Sequence, residues 1–122
     1  MEKVVYLTDD FSTEPTAKLA RELAEISPGS INKRVWFAQS GAAAVEGAIK
    51  GARLYKYNQI MRGGFMPETE NHSYPYPYKI ISRYRSWHGA TTAAVSVSGD
   101  PRRWFQEPFV MPGVVFGPDS YC

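Results

Sequence analysis

The stretch from residue 34 to residue 57 constrains the fold more strongly than any other part of the chain. Residues 34–39, RVWFAQ, are mostly apolar without alternation, a pattern typical of a strand covered on both faces in a parallel sheet. Ser40 and Gly41 interrupt this run, and the segment AAAVEGAIKGARLYKY that follows places its larger apolar residues at helical spacing. A buried strand that leads directly into a helix predicts an α/β fold with a mainly parallel sheet.

The flanking segments continue this alternation of helices and strands. Apolar periodicity, capping residues and turn residues predict six elements: a helix over 14–26, a strand over 34–39, a helix over 42–57, a strand over 79–83, a short helix from about 88 to 97, and a strand over 114–116. Residues 58–78 have no period and contain three prolines. We expect these residues to form a long surface loop.

Composition limits the class of protein. The chain has 122 residues, enough for one domain, and its 14 Lys and Arg against 12 Asp and Glu are too balanced to indicate nucleic-acid binding. No apolar run approaches the roughly 20 residues of a membrane span, and the first residues lack the apolar core of a secretory signal. The chain has one cysteine, Cys122, and two histidines, His72 and His88. These are too few for a disulfide framework or for a zinc site of standard ligand spacing. These features favour a soluble, cytoplasmic protein.

The junction between the first predicted strand and its helix predicts an anion site. Free backbone N–H groups and the helix dipole meet at such a junction, Gly41 allows close approach to the backbone, and Ser40 supplies a hydroxyl. The sequence here contains neither a P-loop nor a GxGxxG fingerprint. The alternative is that Ser40 only caps the helix, which is the commoner role of such a pair.

A second candidate site lies at Trp87, His88 and Gly89, which follow the second predicted strand. Ligands of open α/β sheets bind outside the carboxyl ends of the strands, where both this triplet and the Ser40-Gly41 pair are expected. The Trp87 indole could stack on a flat aromatic ligand. In the alternative interpretation, Trp87 packs in the core and His88 begins a helix.

Two motifs at their family spacing resemble the class III aminotransferases, pyridoxal-phosphate enzymes of fold type I. They are SGAAAVEGAIKGAR at 40–53 and KIISRYRSWHGATTAAVSVSGDPRRW at 79–104. The resemblance extends from about Glu14 to Tyr121. Within it, GDPRRW at 99–104 is similar to the branch that handles ω-amino acids such as taurine or β-alanine.

The resemblance implies a partial three-layer α/β/α large domain with a mainly parallel sheet, as a single partial domain over 1–122. It also implies that the backbone at Gly41 and Ala42 holds the cofactor phosphate with Ser40 beside it. Trp87 stands where the family stacks an aromatic residue on the pyridine ring, and His88 adjoins it. The family commonly has Ser at position 42 and Glu at 43, but both are Ala here. Loss of that hydroxyl predicts weaker cofactor binding.

No catalytic residue is expected in this chain. In the family, the Schiff-base lysine and the aspartate that pairs with the pyridine nitrogen lie far beyond the matched motifs. Lys50 corresponds to a mid-helix lysine that is not the catalytic one, and Lys79 opens a strand at the end opposite the site. Arg102 and Arg103 could bind a substrate carboxylate, although salt bridges with acidic neighbours, Asp100 or Glu107, are the plainer interpretation.

The resemblance implies a parent enzyme that moves an amino group between an amino donor, here an ω-amino acid, and a keto acid such as pyruvate. Its partners are then small molecules and a second subunit of a homodimer, with no nucleic acid and no membrane. The fragment alone is expected to be inactive. The alternatives are a non-catalytic remnant that binds a phosphate ligand or a partner, and one half of a split enzyme.

Overall fold

The computed structural model describes residues 12–29, 33–63 and 79–121, and places them in two compact units, within Met1–Phe37 and within Ala38–Cys122. The elements are α1 (Glu14–Ile26), α2 (Gly41–Gly63), β1 (Ile80–Arg83), α3 (Thr92–Ser96), a 3₁₀ helix (Pro101–Phe109) and β2 (Val114–Gly117). The single partial domain over 1–122 stays a prediction.

Helix α1 has the bounds that its capping residues predict. The Thr13 hydroxyl oxygen accepts a hydrogen bond from the N–H of Thr16 at 3.3 Å, and a proline occupies the first turn, where its missing N–H costs nothing. At the other end, the N–H and the hydroxyl of Ser27 both donate to the carbonyl of Leu23. The prediction of a helix over 14–26 is confirmed.

The predicted strand over 34–39 is wrong. Residues 33–38 have no regular secondary structure. Trp36, which a strand covered on both faces would bury, is 66% exposed. A strand is stable only beside a hydrogen-bonded neighbour. Within the described residues, the strands are β1 and β2, and they pair with each other.

The predicted loop over 58–78 is wrong in its first part, because α2 continues to Gly63. The added turn contains Gln59, Met61 and Arg62, which all favour helix, so nothing local stops α2 before the Gly63-Gly64 pair. The rest of the predicted loop, 64–78, which includes His72, lies outside the described residues.

Strands β1 and β2 form the parallel pair that the sequence predicts. Their register joins Ile80 to Val114 and Arg83 to Gly117, and Ile80 donates its N–H to the carbonyl of Gly113 at 3.0 Å. Beyond the end of β1, Tyr84 makes a further parallel bridge with Gly99. The α/β class with parallel pairing is therefore confirmed.

The core of the Ala38–Cys122 unit is centred on α3 and the three residues after it. Ala94, Val95 and Val97 are buried together with two serines, Ser96 and Ser98. The serine hydroxyls are satisfied internally: Ser96 donates to the carbonyl of Thr92 at 2.6 Å and Ser98 to that of Ala94 at 2.8 Å. Burial of these polar groups is therefore compatible with a stable core.

Helix α3 begins at Thr92, four residues later than the start predicted at His88. Gly89 has a φ of +130°, in the region that an α-helix cannot use, so 88 and 89 belong to the loop. The 3₁₀ helix was not predicted. Its signal was the sequence Asp100-Pro101, in which an N-cap aspartate precedes a proline at the first helical position.

Gly99 lies where the segment after α3 passes against the end of β1. A Cβ built on Gly99 would lie 2.7 Å from the Cα of Tyr84, a distance that real Cβ atoms do not show. The carbonyl of Gly99 accepts the N–H of Arg85 at 3.0 Å, so this close approach is part of the sheet extension.

We expect Gly99→Ala to lower the free energy of unfolding by about 1–3 kcal/mol, because the backbones must move apart to accept the methyl group. The matched control is Gly51→Ala in α2, where a Cβ meets nothing within 4 Å. That change should raise stability by about 0.4–1 kcal/mol. Urea denaturation followed by circular dichroism measures both, and equal effects of the two substitutions would contradict the proposed packing.

Candidate functional site

The first turn of α2 presents two unused backbone donors. The Ser40 hydroxyl oxygen accepts the N–H of Ala43 at 3.1 Å, and the Ser40 carbonyl accepts that of Ala44 at 2.9 Å. Within the described parts of the chain, the N–H groups of Gly41 and Ala42 donate to nothing. Two free donors at the positive end of a 23-residue helix form a site for an anion.

Gly41 leaves an open space beside these donors. A Cβ at this position would meet no atom of the described residues within 4 Å, and Gly41 lies in the regular helix α2. Neither packing nor conformation therefore requires glycine here. A side chain would instead fill the space in which a phosphate could approach the two N–H groups, so the residues fit a phosphate.

Gly89 brings the Trp87-His88-Gly89 loop against the start of α2. A Cβ on Gly89 would lie 2.6 Å from the Cβ of Ala42 and 3.2 Å from that of Ala94, so only glycine allows this contact. The N–H of His88 donates to the buried hydroxyl of Ser98 at 2.9 Å, which fixes the loop backbone. The two sequence motifs are therefore in contact, although only the Trp87 loop follows a strand in the described residues.

Glu46 links α2 to α3 across this contact. Its carboxylate accepts a hydrogen bond from the N–H of Ala93 at 2.8 Å, and the Thr91 hydroxyl and the N–H of Ala94 are further donors that favour its charged form. These bonds, with the Thr91 hydroxyl contributing most, hold the pKa of Glu46 below its usual value, and the charge of Lys50 adds to the effect. Sequence analysis noted Glu46 only as part of a motif, because its partners lie 45 or more residues away.

Trp87 is not a core residue, since 43% of it is exposed. The guanidinium of Arg102 lies over the indole, with its Cζ 4.2 Å from the ring centroid. Arg102 also pairs with Asp100, and Arg103 pairs with Glu107. The prediction that both arginines form salt bridges with these acids is confirmed. The stacking of Arg102 on Trp87 was missed, because the two residues are 15 positions apart.

The described residues also form an apolar groove of about 440 Å³ between α2 and β1. Ile49, Ala52 and Ile80 line it, with Lys56 and Lys79 at its margin. None of the predicted site residues contributes to this groove. Lys79 precedes β1 whereas Trp87 follows it, which places the lysine and the candidate site at opposite ends of the strand.

Across the ranges that the structure describes, no group of three or more His, Cys, Asp or Glu side chains could hold a metal ion. Helices long and apolar enough to cross a membrane are likewise not found in these ranges.

Comparison with known proteins decides the family. The model of the family described as aminotransferase class-III matches residues 1–120, nearly the whole chain. The chain belongs to the class-III aminotransferases. Enzymes of this family depend on pyridoxal phosphate.

Individual relatives place this segment within much longer proteins. The chain is 37% identical over 99 residues to the acetylornithine aminotransferase of Haemophilus ducreyi, an alignment that covers 81% of this chain and 21% of that enzyme. The structure superposes with a TM-score of 0.69 on the taurine:2-oxoglutarate aminotransferase of Bifidobacterium kashiwanohense, at 30% identity. The superposition with the ω-transaminase of Pseudomonas jessenii gives 0.68 at 25% identity. Each covers 93% of this chain and 22% of the other. The chain thus spans about a fifth of the length of the relatives that it matches.

The Glu46 contacts predict a pH dependence of stability. A carboxyl with a lowered folded pKa adds stability above its unfolded pKa and loses it as the pH falls through the folded pKa. Glu46→Gln should therefore destabilise the protein at pH 7, and the difference from wild type should shrink progressively below about pH 4.5 as Glu46 becomes protonated. Denaturation at a series of pH values measures this.

The control is Glu22→Gln, which removes an exposed carboxylate of α1. It should produce no comparable pH-dependent difference. An offset between wild type and Glu46→Gln that is the same at pH 7 and pH 3 would show that the charge of Glu46 is not what stabilises α3.

Proposed function

We propose that this chain is a segment of the cofactor-binding large domain of a transaminase, and that the start of α2 and the Trp87 loop together hold pyridoxal phosphate. The observation that supports this best is the contact between Gly89 and Ala42. It brings a pair of free backbone donors next to a loop that carries an exposed indole.

The phosphate is assigned to the N–H groups of Gly41 and Ala42, with Ser40 beside them. Ser40 caps the helix through its accepting oxygen, and its hydroxyl hydrogen remains able to donate to an anion. Position 42 lacks the hydroxyl that is common in the family, so the phosphate is held here by the backbone, Ser40 and the helix dipole.

The pyridine ring is assigned to the exposed indole of Trp87, beside His88. A flat ring of this size gains from offset stacking on an indole face. When bound, the cofactor supplies an electron sink for amino-group transfer, and this chain binds and orients it.

The substrate class is assigned to ω-amino donors and a keto acid acceptor such as pyruvate. Support for the donor comes from GDPRRW at 99–104 and from the similarity to an enzyme named for taurine and 2-oxoglutarate.

The exposed apolar face of the β1–β2 sheet supports the proposal that this chain is part of a larger domain. Ile81 and Val115, which pair with each other in the sheet, are 82% and 48% exposed. Such exposure is unusual in parallel sheets, because both of their faces are normally covered.

Restoring the missing hydroxyl tests the phosphate site. Ala42→Ser should tighten binding of pyridoxamine 5′-phosphate about five- to thirtyfold, because one charge-assisted hydrogen bond is added. The amine form of the cofactor is the better probe, since unlike the aldehyde it does not condense with surface lysines. Isothermal titration with the 122-residue chain gives the dissociation constants.

Ala44→Ser makes the same chemical change at an exposed position of α2 whose N–H is already bonded to Ser40. It should leave the affinity unchanged. Gly41→Val should abolish binding, because its side chain fills the open space beside the donors. Equal affinity of the wild-type and Ala42→Ser proteins would mean that the phosphate lies elsewhere and that Ser40 is only a helix cap.

We expect the chain on its own to show no transaminase turnover with β-alanine or taurine and pyruvate. Lys50 is exposed on α2 and Lys79 borders the separate groove, so neither is placed to hold the cofactor aldehyde. Borohydride reduction in the presence of pyridoxal phosphate, followed by peptide mapping, should give no adduct at a single preferred lysine. One specific adduct together with turnover would overturn this expectation.

A further inference from the structure

Trp87 is the exposed aromatic residue of the site, yet its loop has no regular structure to hold the side chain. The backbone after it is fixed by the bond from His88 to Ser98 and by the fit of Gly89 against Ala42. These contacts set where the loop runs but do not set the orientation of the indole. Arg102 contacts the ring itself, with its Cζ 4.2 Å from the centroid.

Arg102 is held rigidly for a surface residue. Asp100 accepts from its Nε at 2.7 Å and from a terminal nitrogen at 3.0 Å, the two-point geometry that fixes the plane of a guanidinium. The same carboxylate accepts the backbone N–H of Arg102 at 2.9 Å as the cap of the 3₁₀ helix. One acidic side chain therefore fixes both the backbone and the side chain of Arg102.

The ion pair itself contributes little to stability, because Arg102 is exposed. The pair places a cation over one face of the Trp87 indole, with its Cζ 4.2 Å from the ring centroid. The guanidinium covers that face, and 43% of Trp87 is exposed in total.

We propose that Asp100 and Arg102 form a positioning unit that orients Trp87, so that a phosphorylated pyridine is admitted on the face of the indole opposite the guanidinium. The proposal rests on the proposed function, since it assumes that the ligand ring stacks on Trp87. It makes Arg102 a positioning residue that acts through the indole, with no contact to substrate.

The test uses the 122-residue chain with Trp36→Phe and Trp104→Phe, two exposed tryptophans, so that Trp87 is the remaining indole. In this background, Arg102→Met should raise acrylamide quenching of Trp87 about twofold, because one ring face is uncovered. It should lower the affinity for pyridoxamine 5′-phosphate and for phosphate-free pyridoxamine by about two- to fivefold each. The affinity for inorganic phosphate should stay unchanged.

Two further variants make the result specific. Arg102→Lys keeps the charge but loses the planar fork, so it should restore only part of the affinity. Asp100→Asn keeps the helix cap but weakens the ion pair, so it should give the same changes as Arg102→Met to a smaller degree. Arg83→Met, at an exposed arginine of β1, is the matched control and should change neither quenching nor affinity.

The outcomes separate this inference from the proposed function. Failure of the unsubstituted chain to bind pyridoxamine 5′-phosphate would overturn the proposed function and this inference with it. Binding by the unsubstituted chain with no loss in Arg102→Met would overturn the positioning role alone. An equal loss for inorganic phosphate and for pyridoxamine would also overturn it, since that result indicates a general disturbance of the fold.

Discussion

The Glu46 carboxylate is the interaction on which the candidate site depends most. Helix α3 has no side-chain cap of its own, and its first turn is completed by this residue from α2. Since α3 is the buried centre of its unit, an acid on one helix secures the N-terminus of another at the core. The loop that carries Trp87 directly precedes α3, so the same bonds also hold this loop against α2.

Two glycines at the site have opposite physical roles. Gly89 is required by the protein itself, because its positive φ and its contact with Ala42 exclude any side chain. At Gly41, by contrast, no described residue lies within 4 Å of where a Cβ would be. The open surroundings of Gly41 are compatible with a ligand beside its N–H, whereas Gly89 provides the contact that brings the two motifs together.

Local signals made part of this structure predictable. The bounds of α1 follow from Thr13 and Ser27, and Ser40 followed by a small-residue helix predicts the start of α2. The expectation for 34–39 failed because apolar content shows that a segment can be a strand, but not that a partner strand is beside it. The end of α2 was misplaced because residues 58–62 lack an apolar period, although Gln59, Met61 and Arg62 favour helix.

The contacts that organise the site were beyond the reach of sequence patterns. Glu46 and Ala93 are 47 positions apart in the sequence. Trp87 and Arg102 are separated in the sequence by the whole of α3. Their residue types were visible, but an acid on a helix or an arginine in a loop is ordinarily a solvated surface group. Only the spatial arrangement distinguishes a helix cap or a ring contact from such a group.

The buried serines give the centre of this unit an unusual thermal character. Ser82, Ser96 and Ser98 are buried together with alanine and valine residues, and Ser82 donates to the carbonyl of Val97 at 2.5 Å. Apolar surface raises the heat capacity of unfolding, whereas polar surface lowers it. A centre built from alanine, valine and serine therefore contributes a small heat-capacity increment. Its stability changes gently with temperature, and cooling weakens it less than it would weaken a core of leucine and phenylalanine.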